Sequence, residues 1–133
     1  MQHMRIRYSD FFTVQHQGSA AIVQFEVRTV LDTAAVKDVA ADLYALVDHH
    51  AFTELVLDMT GVRFLSSQAL GTLVHLQRKT NAAGGRLILV GIGQNIARMF
   101  RITRLDSLFT FCADIEEAAQ AMAIAGQRQM LRV

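Results

Sequence analysis

Leu55-Val56-Leu57-Asp58-Met59-Thr60-Gly61-Val62-Arg63-Phe64-Leu65-Ser66-Ser67-Gln68-Ala69-Leu70-Gly71 reads as a buried strand, a loop and the start of a helix. Leu55-Val56-Leu57 is a continuous apolar run between Glu54 and Asp58, the pattern of a strand covered on both faces of a sheet. The helix begins at Ser66 or Ser67, either of which can cap it, and runs to about Ala83 with Leu70, Leu73, Val74 and Gln77 on one face. Arg78, Lys79 and Asn81 lie outside, and Gly84-Gly85 closes the last turn.

The flanking chain repeats this alternation. Downstream, Leu87-Ile88-Leu89-Val90 is a second doubly buried strand, followed by a short helix from Asn95 to about Arg101, a brief apolar run Leu108-Phe109-Thr110-Phe111, and a last helix from about Asp114 to Ala125. Upstream, Phe11 to His16 and Ala20 to Phe25 form two β-like runs joined by Gln17-Gly18-Ser19, a hairpin. Asp32 can cap a helix from Thr33 to about His49 that places Val36, Val39, Ala40, Leu43 and Val47 on one stripe. The tail from Gln127 to Val133 is expected to fray. The order β-β-α-β-α-β-α-β-α predicts one α/β domain over residues 1–133, ordered from about 10 to about 125, with a mixed sheet of about five strands covered by about four helices.

Composition narrows the function. Apolar residues make up 52% of the 133 and charged residues 19%, enough for a packed core. Thirteen basic and 12 acidic residues leave a formal charge of +1, which provides no global field for nucleic acid or an anionic membrane. The single Cys112 excludes an internal disulfide and a paired-cysteine metal site, which fits a cytoplasmic setting, and its apolar strand context suits a small buried residue. No export leader and no membrane-spanning run are expected. His3, His16, His49, His50 and His75 lack metal-ligand spacing, so no metal or cofactor is expected. Arg98, Arg101 and Arg104 recur every third residue, as a small basic patch on one face of the short helix would.

The chemistry concentrates at Ser66 and Ser67, where unpaired helical N–H groups and the positive dipole end converge. A phosphoserine there adds about −1.5 to −2 charges without unfolding the helix and changes the surface offered to a partner. A plain serine cap, contributing about 1 kcal/mol relative to alanine, is the structural alternative. Gly91-Ile92-Gly93-Gln94-Asn95-Ile96 lacks the third glycine of a dinucleotide loop, and no nucleophile elbow surrounds Ser67.

Together with Ala82-Ala83-Gly84-Gly85-Arg86-Leu87-Ile88-Leu89-Val90-Gly91 and Ile102-Thr103-Arg104-Leu105-Asp106-Ser107-Leu108-Phe109, the stretch from Leu55 to Gly71 resembles the STAS domains of bacterial anti-sigma-factor antagonists. The resemblance covers nearly the whole chain. It is most specific at the helix start, where the family typically has an aromatic, an apolar residue and then Asp-Ser-Ser-Gly-Leu-Gly. The resemblance puts the family's phosphoacceptor on Ser67, with Ser66 as second candidate, since here Ser66 stands at the Asp position, Gln68 at the second serine and Ala69 at the glycine. Asp32 matches a family Asp near the phosphorylation loop, and Asp32, Arg63, Ser66 and Gln68 are expected on the partner-facing surface.

The function this resemblance implies is binding, with no catalysis of its own. The unphosphorylated antagonist binds a serine kinase that is also an anti-sigma factor and so frees the sigma factor for transcription. Phosphorylation ends the binding, and a PP2C-type phosphatase restores it. No cofactor, nucleic acid or membrane insertion enters, and a homodimer is left open. Two alternatives remain: a constitutive STAS scaffold subunit, for example in a lipid-transport ABC complex, and a nucleotide-binding or small hydrolytic α/β domain.

Overall fold

Strand β4, Glu54–Asp58, sits inside the sheet because its centre has no polar face. Leu55 and Leu57 enter one apolar cluster and Val56 enters another on the opposite side. The same period-two division holds in β3, Ala20–Phe25, where Ala21 and Val23 oppose Ile22. It holds again in β5, Arg86–Val90, where Leu87 and Leu89 oppose Ile88 and Val90. Each large aliphatic side chain that these strands remove from water contributes about 1.5–3 kcal/mol.

The computed structural model describes residues 5–6, 8–25 and 36–122. Its sheet has six strands in sequence order, the first being a two-residue ladder, β1, Arg5–Ile6, beyond the expected hairpin. β1 and β2, Phe12–Gln17, pair antiparallel, as do β2 and β3, while β3, β4, β5 and β6, Thr110–Cys112, run parallel. Parallel neighbours require crossovers, and these are α1, Val36–Asp48, α2, Ser67–Ala82, and α3, Gln94–Ile102. Crossovers of one hand in a sequentially ordered sheet fall on one face, so all three pack on the Leu55 and Leu57 side. A last helix, α4, residues 115–122, covers the other face with Ile115, Ala118 and Met122. Asp114 caps it, its Oδ1 accepting from the Glu117 N–H at 2.8 Å.

The mixed α/β architecture is as expected, and the differences are local. The start of the first helix at Thr33, the end of the last at Ala125, and the Gln127 to Val133 tail lie outside the described residues. In α1 the stripe buries Leu46 completely and leaves Val47 half-buried at its margin. In α2 the buried face is Ala69, Thr72, Leu73, Leu76 and Thr80, with Leu70, Val74 and Gln77 only half-buried. Thr72 and Thr80 are tolerated there because their hydroxyls donate to the carbonyls of Gln68 and Gln77, each at 3.0 Å. The last strand begins at Thr110, which leaves Leu108 exposed in a turn. Cys112 is half-buried and not fully enclosed; burial, and after it the charge of Glu117, push its thiol above the usual range.

Two helices end in the same backbone motif with different residues. After α2, Gly84 donates to the Asn81 carbonyl at 3.1 Å and Gly85 to that of Thr80 at 2.9 Å, with Gly84 at φ +84. After α3, Arg104 donates to Arg101 at 3.1 Å and Leu105 to Phe100 at 2.9 Å, with Arg104 at φ +59. Arg104 therefore lies past the end of α3, in the turn that follows Arg98 and Arg101. A side chain in the left-handed region costs roughly 1–2 kcal/mol that glycine avoids.

Gly91, which ends β5 at φ +71, brings the sheet against the loop after β4: a Cβ there would overlap the Thr60 hydroxyl. Gly91→Ala is expected to lower stability by about 2 kcal/mol or more, through strain and overlap together. Gly71→Ala, at an exposed helical position with open space around it, should raise stability by about 0.5–1 kcal/mol. Urea denaturation midpoints check both. The raised Cys112 thiol carries less thiolate at neutral pH, so its reaction with an aromatic disulfide should be slower than a free thiol's and accelerate on unfolding.

Candidate functional site

The loop between β4 and α2 is held from beneath at every third residue. Met59, Val62 and Leu65 are buried in the main core, and between them Thr60, Gly61, Arg63 and Phe64 are exposed. Backbone bonds set its path: Met59 N–H donates to the Val90 carbonyl at 2.8 Å, prolonging the contact with β5, and Val62 N–H donates to the Met59 carbonyl at 3.0 Å. The Asp58 carboxylate is consumed locally. Its Oδ1 accepts from the Thr60 N–H at 3.0 Å and its Oδ2 from Gln24 Nε2 at 3.3 Å.

The loop delivers two adjacent hydroxyls to different environments. Ser66 is buried, has extended backbone (φ −69, ψ 164) and caps α2, its Oγ accepting from the Ala69 N–H at 3.0 Å. Ser67, one residue on, is the first residue of α2 and is exposed. Its hydroxyl makes no hydrogen bond to the described residues. Gln68 and Gly71 are exposed as well, and the first turn of α2 carries no acidic side chain. The site therefore joins free helical N–H groups to a solvent-facing hydroxyl with no like charge in that turn.

Of the residues singled out from the sequence, Arg63, Ser66, Ser67 and Gln68 come together here, while Asp32 lies outside the described residues. Arg63 also lines a shallow, open depression of about 390 Å³ with Gly93, Gln94, Asn95 and Ile96, the start of α3. Gly91 and Gly93, the two glycines of the incomplete dinucleotide pattern, serve instead to admit Thr60 and to open α3. Phe64 was not assigned a role from the sequence and is 60% exposed, a large ring placed between Arg63 and the buried Leu65. Its signal was available: an aromatic that interrupts the every-third-residue anchoring of the loop has no place in the core.

Three of the described histidines, His16, His50 and His75, stand against tyrosine rings. His16 Nε2 lies 2.7 Å from the Tyr8 hydroxyl, and the His75 ring stands 4.9 Å from that of Tyr44, centroid to centroid. No cluster of three or more metal-ligating side chains occurs among the described residues, and no helix among them is long and apolar enough to cross a membrane.

The fold recurs in proteins of known structure. An anti-sigma-factor antagonist (STAS) domain protein from Planctomyces limnophilus superposes with a TM-score of 0.74 at 20% identity, over 84% of this chain and 97% of that one. The Bacillus cell fate determinant SpoIIAA in its phosphorylated form matches with a TM-score of 0.65 at 20% identity, over 84% and 98% of the two chains. A murine anion transporter of the solute carrier 26 family contains the same fold, with a TM-score of 0.63 at 20% identity over 80% of this chain and 18% of the transporter. At such identities the likeness is one of fold. The STAS domain model itself matches residues 12–118, from the first residue of β2 into α4, and the chain belongs to the STAS domain family.

Proposed function

We propose that this chain is an anti-sigma factor antagonist, a binding module without catalysis of its own whose binding state is set by a phosphate on Ser67. The observation that carries the reading is the division between two neighbouring hydroxyls. Ser66 is buried and committed to the Ala69 N–H, whereas Ser67 is exposed at the helix start and uncommitted among the described residues. A kinase can reach the second without dismantling the helix. The known structure of a similar fold in its phosphorylated form supports the same reading.

A phosphate at Ser67 adds about −1.5 to −2 charges and three acceptor oxygens beside free helical N–H groups, so the fold tolerates it. The partner does not. Docking against Phe64, Arg63, Ser67 and Gln68 would then require removing a dianion from water or setting it against the partner's own groups. The partner is a serine kinase that is also an anti-sigma factor, a PP2C-type phosphatase resets the switch, and the outcome is regulated transcription in the cytoplasm. Gln68 and Ala69, in place of the motif's second serine and glycine, favour a second reading in which the same surface binds constitutively as a scaffold.

Phosphopeptide mapping and intact mass of the protein from its own host are expected to find a single phosphate on Ser67 that disappears in Ser67→Ala. Phosphate on Ser66 alone overturns the assignment, and none under any growth condition favours the scaffold. Stability should separate the two serines in the opposite sense. Ser66→Ala is expected to lose about 1 kcal/mol with its cap, and Ser67→Ala to stay within about 0.5 kcal/mol of the parent in urea denaturation.

A further inference from the structure

The C-terminal end of α3 carries an exposed cluster that neither the core nor the loop after β4 uses. Ile102 is 73% exposed and Leu108 45%, and Arg98, Arg101 and Arg104 are exposed with them. The ion pairs among the described residues are Lys79 with Asp48 and Arg86 with Glu54, so these three guanidinium groups have no acidic partner there. Leu105 N–H donates to the Phe100 carbonyl at 2.9 Å and Leu108 N–H to the Leu105 carbonyl at 3.0 Å, which winds residues 100–108 into consecutive turns. The cluster is thus one compact feature.

Arg104 is the informative member. The chain builds the same helix-ending motif twice, once with Gly84 and once with Arg104, and only the second bears a strained side chain. That side chain makes no hydrogen bond or ion pair with the described residues, so nothing in the described fold offsets the strain. Strain kept without a structural return is found where a side chain is needed for contact.

We propose that this end of α3 is a second interaction surface, which docks an acidic segment of a protein partner bearing aliphatic side chains. Arginines in a planar fork match carboxylates, and the exposed Ile102 and Leu108 supply the apolar contact beside them. Asp106 is exposed in the same turns, which selects among anionic partners. Against a uniformly anionic bilayer it would be desolvated facing like charge, whereas a protein segment can set a donor opposite it. The surface extends along α3 away from the helix start that meets Arg63: Arg98 lies four residues, about 6 Å, from Gln94, and Ile102 eight residues, about 12 Å.

The test uses the full chain with two probes: a short helical peptide with a leucine stripe and glutamates elsewhere, and vesicles of phosphatidylcholine and phosphatidylserine. The peptide is expected to shift the amide resonances of residues 98–108 and to bind about threefold more weakly to Arg104→Gly and to Ile102→Ser. Arg78→Ala, which removes an exposed positive charge on α2, should bind it as the parent does. Arg104→Gly should meanwhile melt about 3 °C higher, so that weaker binding cannot be ascribed to unfolding. Shifts centred elsewhere, no shift at all, or undiminished binding to Arg104→Gly overturns the proposal. Vesicle binding that exceeds peptide binding and falls with Arg104→Gly also overturns it, since the surface would then be one for lipid.

Discussion

The burial of Leu55, Val56 and Leu57 on opposite faces of one strand determines where the chain can go next. A strand covered on both sides must lie inside a sheet, its neighbours must be equally apolar, and the connections between them must be helices lying across a face. Asp58 is the first polar residue at the strand's end, and it folds back on the Thr60 N–H and on Gln24, so the turn into the loop begins at a defined place. Everything that makes Ser67 accessible follows from there: three buried anchors, a capped helix and an exposed first turn.

The loop shows how an exposed surface can be anchored in the core and polar at once. Met59, Val62 and Leu65 are paid into the core, which leaves Arg63 and Phe64 no inward direction. Ser66 spends its hydroxyl on the helix end and Ser67 does not. One residue of offset separates a capping hydroxyl from a solvent-exposed one, because successive residues at a helix N-terminus point to different sides of the same turn.

The helix ends make the complementary point about stability. Gly84 and Arg104 occupy the same position in the same motif, yet only glycine is relaxed there. The chain is consistent along its strands and departs from local preference at Arg104 and at Ala51, which has φ +60 just after α1. Departures of this kind are expected at contact surfaces more than in the core, where packing has no strain to spare.

The amino-acid sequence by itself determined the order of elements, the hairpin, the two doubly buried strands and the boundaries of α2, because period-two and helical spacings, a serine cap and Gly84-Gly85 are local signals. It also placed Arg63, Ser66, Ser67 and Gln68 together, since they are neighbours in the chain. Tertiary structure decided what local signals do not contain. It turned the Ala69, Thr72, Leu73, Leu76 and Thr80 face of α2 to the core and left Leu70 and Val74 half-buried at its margin. It set Ser66 inside and Ser67 outside, turned Phe64 to solvent, and carried Arg104 off the helix into a left-handed turn. Each of these depends on which neighbour stands across the gap, and that is fixed only when the sheet, the helices and the loop are packed together.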